Sequence, residues 1–153
     1  MHQAVNIQAQ LAQEPFDPWA LLAPWSSIHG SPAESYFVGR VRPLTGAGQP
    51  LEALELEHYP GMAERQLDRL ARTYALRHGA GAVLVHHRVG RIQPHEAIVL
   101  VGVAADRRGQ AQRCCMALLE ALKHEAPFWK REWSEGVGTW VQGNTPLEDG
   151  GSV

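Results

Sequence analysis

Two lysines, Lys123 and Lys130, stand on either side of Pro127, with Phe128 and Trp129 between them and Arg131 directly after. Lysine is a basic side chain whose charge can be tuned. Burial, or a second cation beside it, lowers its pKa, so it can act as acid, base or nucleophile. Arginine stays charged, and its planar fork holds phosphate or carboxylate instead. Basic residues also come in pairs at Arg40 with Arg42, Arg107 with Arg108, and Lys130 with Arg131. Together these suit a small anionic ligand better than a long phosphate backbone, although a pair of arginines is most often solvated surface. On the residues alone, Lys123 complements the dipole at a helix end and Trp129 fills the core. His86 and His87 are neighbours in a strand pattern, so they point to opposite faces and cannot serve one metal. At least one of them reads as a structural histidine. Cys114 and Cys115 point about 100° apart around a helix. They read as buried thiols rather than as a disulfide framework or a metal knuckle. No Gly-rich phosphate loop, Ser/His/Asp order or Cys/His metal spacing rises above chance.

The element that must position the lysines runs from Asp106. That residue is a plausible N-cap. Ala111, Cys115, Leu118 and Leu122 follow at helical spacing and make one apolar stripe. Pro127 cannot continue the helix and pushes Ala126 out of the helical region. Lys123 then falls in the last turn and Lys130 just past the stop.

Upstream, residues 4–10 alternate and predict a strand. Asp17-Pro18 predicts an N-cap and first turn, with a short helix through Trp19, Leu21 and Leu22 ending near Pro24. Ser26 to Pro32 reads as a loop. Ala33 to Arg42 predicts a strand with Tyr36, Val38 and Arg40 on one face; Gly39 inside it marks a bulge or a close backbone approach. Residues 43–50 hold two prolines and two glycines and read as a mobile loop of the kind that admits a partner, or as a plain hairpin connection. Leu51 to Tyr59 alternates as a strand. Met62 to His78 is a strongly amphipathic helix with Ala63, Leu67, Leu70 and Tyr74 inward, and Gly79 ends it. Ala82 to Val89 predicts a strand, Gly90 to Glu96 a turn, and Ala97 to Ala105 a strand buried on both faces. Trp140-Val141 makes a last short strand. The order reads as an α+β sandwich.

With 153 residues, 44% hydrophobic and 20% charged, the chain fits one soluble domain with a sizeable core, over residues 1–142. The polar, Gly-rich residues 143–153 read as a disordered tail. No apolar run reaches the length of a membrane span. The first ten residues lack the pattern of a secretory signal, so the expected compartment is the cytoplasm. A net charge of -2 argues against a general nucleic-acid binder.

The stretch LKHEAPFWKRE resembles the signature of the molybdopterin synthase catalytic (large) subunit family. FVGRVR at 37–42, LELEHYPGMAE at 54–64, HHRVGRI at 86–92 and VLVGVAADRR at 99–108 match that family in the same order. The resemblance covers roughly Ile7 to Val141. It implies an α/β hammerhead-type sandwich with a small additional antiparallel sheet, assembled as a homodimer within a heterotetramer. It also implies an activity: sulfur passes from the C-terminal Gly-Gly thiocarboxylate of a small ubiquitin-like subunit to cyclic pyranopterin monophosphate, forming the dithiolene of molybdopterin. By residue, the resemblance makes Lys123 and Lys130 catalytic. It makes Arg42, Arg107, Arg108, Trp129 and Arg131 substrate-binding, with the Arg107-Arg108 end coming from the neighbouring chain. No tightly bound metal or organic cofactor is expected. The chain departs from the family at Arg107, where many members have histidine. Arginine there can hold an anion but not exchange protons. The alternative reading is a relative that docks a Gly-Gly tail without doing chemistry.

Overall fold

The computed structural model describes residues 4–141. Its elements in chain order are β1 (Asn6–Ala12), α1 (Pro18–His29), β2 (Ala33–Arg40), β3 (Ala53–His58), α2 (Met62–His78), β4 (Ala82–Arg88), β5 (Gly90–Ile92), β6 (Ala97–Ala105), α3 (Arg108–Glu125), β7 (Phe128–Ser134) and β8 (Val137–Val141).

Every residue of β6 is buried, as its unbroken apolar run predicts. It lies inside a mixed sheet of order β1-β4-β6-β2, in which β1 runs parallel to β4 and the other pairs are antiparallel. Alternation sends Val83, Val85, Val99, Val101 and Val103 to the face covered by α2 and α3. Leu84, Leu100 and Ala104 go to the other face, under Leu22 and Trp25 of α1. There the helix comes so close that a Cβ on Gly102 would sit 3.2 Å from the Trp25 ring. The expected irregularity at Gly39 is present as a register shift between Gly39 and Arg40. Gly79 ends α2 in the left-handed conformation, φ 72°, as expected.

A second, all-antiparallel sheet has the order β5-β3-β7-β8. Leu54, Leu56 and Ile92 turn its inner face to the core. On its outer face Arg131 donates from Nε and Nη2 to Glu55 Oε1 at 2.9 and 2.6 Å, and the Trp133 indole N–H donates to the same oxygen at 3.1 Å.

The structure corrects the reading at several places. Helix α1 does not end near Pro24 but runs on to His29, through residues read as loop. Pro24 removes one backbone donor, yet the buried Leu22 and Trp25 hold the helix to the sheet. Ser27 Oγ donates back to the Pro24 carbonyl at 2.9 Å. Asp106 is not the N-cap of α3. Pairing of β6 with β2 continues to Ala105, so the extended cap position falls on Arg107, whose N–H is accepted by Gln110 at 3.2 Å. Residues 43–50 close as a turn, the plain connection that was one of the two expectations, with Thr45 N–H donating to the Gln49 carbonyl at 2.7 Å. Part of the expected turn after β4 is the short strand β5, and the basic-aromatic segment past Pro127 is the strand β7. The expected tail at 143–153 lies outside the described residues.

Candidate active site

Helix α3 presents Ala111, Cys115, Leu118 and Leu122 inward, as its spacing requires. Its end is abrupt. The Ala126 N–H still donates to the Leu122 carbonyl at 3.2 Å, but Ala126 is already extended, ψ 134°. Pro127 then turns the chain into β7. This corner sets the last helical turn, with Lys123, against the first residues of a strand, with Lys130. Along β7, Phe128 and Lys130 share one face and Trp129 and Arg131 the other.

Between helix end and strand lies a cavity of about 480 Å³. Lys123, Leu119 and Leu122 wall it from α3, Phe128, Trp129 and Lys130 from β7, and Trp140 and Val141 from β8. His87 from β4 and Ile98 and Val99 from β6 also line it, and among the described residues no carboxylate does. The two lysines are the only lysines in the chain; the other twelve cationic side chains of the Lys and Arg set are arginines. Burial, and then the Lys123 charge, lower the Lys130 pKa against the opposing pull of Glu132. His87 stacks on Phe128 with ring centroids 4.4 Å apart. An anion entering this pocket meets the positive charge of both lysines beside the stacked Phe128 and His87 rings, with the half-exposed Trp129 and Trp140 also lining it.

The remaining expected site residues lie elsewhere in this chain. Arg107 and Arg108 are at the opposite end of α3, about 22 Å from Lys123 by helical rise. They line a shallow basin with Pro32, Gly109 and Arg113. Arg42 is exposed just past β2 and does not line the cavity. Arg131 is turned to the outer face, held by Glu55 and stacked against Trp133 and Trp140. Cys114 and Cys115 are buried free thiols. Burial pushes Cys114 up to about 12 and raises Cys115 as well, so neither is a ready nucleophile. Among the described residues no group of three or more His, Cys, Asp or Glu could hold a metal ion. No described helix is long and apolar enough to cross a membrane.

His87 and Trp140 also line the pocket, although nothing in their sequence context marks them as site residues by type. Alternation with the inward Val83 and Val85 was the available signal for His87. The restriction of lysine to two positions was another signal for the site itself.

A family model described as MoaE protein matches residues 11–125. The molybdopterin synthase catalytic subunit of Haemophilus influenzae is 37% identical over 137 residues, covering 90% of this chain and 91% of its own. The chain belongs to the MoaE family. As a member of that family it is an enzyme of molybdenum cofactor biosynthesis, a molybdopterin synthase catalytic subunit. The crystal structure of molybdopterin synthase from Staphylococcus aureus superposes with a TM-score of 0.78 at 28% identity, over 88% of this chain and 97% of that one. A protein-protein complex of subunits 1 and 2 of molybdopterin-converting factor from Helicobacter pylori shares the fold, with a TM-score of 0.74 at 18% identity, over 89% of this chain and 90% of that one.

Proposed function

We propose that the Lys123–Lys130 cavity is the sulfur-transfer site of this MoaE-family chain. In this reading the C-terminal Gly-Gly thiocarboxylate of a small ubiquitin-like subunit enters the pocket. Its sulfur passes to cyclic pyranopterin monophosphate, and two such transfers make the dithiolene. The observation that carries the reading is the convergence of the chain's two lysines on one cavity lined by aromatic side chains. Lys123 pairs with the incoming acyl group at the helix exit. Lys130, its pKa lowered by burial and by Lys123, handles a proton or the charge that develops on the substrate. Trp129 covers the pterin ring.

The arginines fit this chemistry only across an assembly. One helix length separates Arg107 and Arg108 from the lysines of the same chain, so the phosphate-holding end comes from a neighbouring copy, in a homodimer within a heterotetramer. Arg42 joins Arg108 on the phosphate, and Arg131 supports the wall through its hold on Trp140. In this reading the charges come from the two lysines and the neighbouring copy's arginines, the protein works in the cytoplasm without a tightly bound cofactor, and molybdenum is added afterwards by other proteins.

A single-turnover assay tests the proposal. The purified protein is mixed with thiocarboxylated small subunit and cyclic pyranopterin monophosphate, and dithiolene product is measured. Product is expected from the native chain and is lost in a folded Lys123→Ala variant. Full activity in that variant, or tight binding of the small subunit with no product from the native chain, removes the assignment.

A further inference from the structure

Two histidines line the cavity, His124 on α3 and His87 on β4, and of these His87 is the buried one. It lies on β4, in register with the residues that face α2 and α3, and it lines the pocket beneath the helix exit. Two contacts fix how it stands. Its ring stacks on Phe128, with planes 27° from parallel. Its Nδ1 lies 2.8 Å from the backbone carbonyl oxygen of Arg88. A carbonyl oxygen only accepts, so the proton of the neutral imidazole resides on Nδ1 and Nε2 is left as an acceptor. The two ring nitrogens point away from each other. With Nδ1 turned back to its own strand, Nε2 is turned outward from it.

The surroundings keep this imidazole uncharged. Burial foremost, then the charge of Lys130, pull its pKa down to about 4, against the backbone bond that would raise it. Among the described residues the titratable groups lining the same cavity are Lys123 and His124 from α3 and Lys130 from β7; β6 contributes only apolar Ile98 and Val99. Phe128 precedes Lys130 by two residues on the same face of β7, so the stack seats the His87 ring on the face of β7 that carries that lysine.

We propose that His87 is a positioning residue whose Nε2 accepts a hydrogen bond from the Lys130 ammonium and aims that lysine into the cavity. The proposal rests on the sulfur-transfer reading of the site. A lysine carries three rotatable donors on a flexible stem. One fixed, uncharged acceptor selects a direction for it, whereas a charged histidine would repel it.

The test uses the full-length protein in the single-turnover assay, comparing wild type with His87→Phe and His87→Gln. Phenylalanine keeps the stack on Phe128 and removes the acceptor; glutamine returns an amide oxygen near the Nε2 position. The Phe variant is expected to lose about tenfold in rate at saturation, the scale of one hydrogen bond to a charged group. Its half-saturating concentration of small subunit should stay unchanged and its melting temperature no lower, and Gln should restore most of the lost rate. A Phe variant as fast as wild type overturns the proposal, as do Phe and Gln variants that are equally slow. If wild type itself makes no product, the sulfur-transfer reading has failed, and Lys130 can still be titrated by NMR in both variants. A lower midpoint with Phe than with Gln supports the hydrogen bond, and equal midpoints overturn it.

Discussion

Replacing Leu118 with alanine should lower the stability of the chain by about 3–4 kcal/mol. Leu118 is fully buried, at 0% exposure, on the inward stripe of α3. It belongs to a cluster built from α2, α3 and both sheets, including Leu67, Leu70, Val101 and Leu56. Truncation removes three carbons' worth of burial and leaves a cavity that a β-sheet on one side and a helix on the other cannot readily close. Both terms therefore apply, which places the cost in the middle of the usual range for leucine. At about 2–4 °C per kcal/mol for a domain of this size, the melting temperature should fall by about 6–16 °C. Urea unfolding and thermal melts at one fixed protein concentration measure this, with the denaturant slope unchanged. Lys123 lies five residues farther along the same helix, about 7.5 Å by rise. Well below the new melting point its pocket should therefore survive, and single-turnover product should still form. A fall of less than about 2 °C would mean that α3 is not packed as described.

Two further predictions concern ionisation. The Trp133 indole N–H foremost, then Arg131 and Arg91, hold the Glu55 carboxyl below the usual carboxylate range against partial burial. Its contribution is therefore complete above the unfolded carboxylate pKa and is lost as pH falls through the lower folded value. Glu55→Gln should cost about 1 kcal/mol at pH 7, a figure already discounted for partial solvent screening, and nothing once acid has protonated both states; a penalty that stays constant down to pH 3 contradicts this. Because the chain has two lysines, isotope-labelled methylation of its amines gives a simple NMR titration. Lys130 should titrate below an ordinary lysine, and Lys123→Ala should move its midpoint up by removing the second-ranked cause of the shift. An unmoved midpoint would show that the two charges do not sense each other.

The elements with strong periodicity were legible from the residues. Helix α2 follows its apolar face from Met62 to His78, and β6 follows its unbroken apolar run. Helix α1 was misjudged because a proline was weighed as a stop, whereas the tertiary anchors Leu22 and Trp25 outweigh one missing hydrogen bond. Strand β7 was hidden for a different reason. Its two faces, Phe128, Lys130 and Glu132 against Trp129, Arg131 and Trp133, each mix apolar and charged side chains, so alternation leaves no binary signal. At the site, Lys123 and Lys130 were named through family resemblance rather than through spacing. The inward placing of His87 follows the alternation of Val83 and Val85, whereas Trp140 reaches the cavity through the pairing of β8 with β7, which no local pattern encodes. The arginines were legible as anion holders, but helical geometry keeps Arg107 and Arg108 a full helix away from the lysines they were grouped with.

The Pro127 corner has a genetic consequence. A stop codon immediately after it would spare the three described helices and the whole β1-β4-β6-β2 sheet. It would also spare the stretch that the family model recognises, residues 11–125. Yet β3 would be left with only the three residues of β5 beside it, and Lys130, Trp129 and Trp140 would be gone. Such a truncation keeps the family's recognisable sequence and loses the pocket, so a nonsense allele late in the coding sequence would be as complete a null for the reaction as an early one.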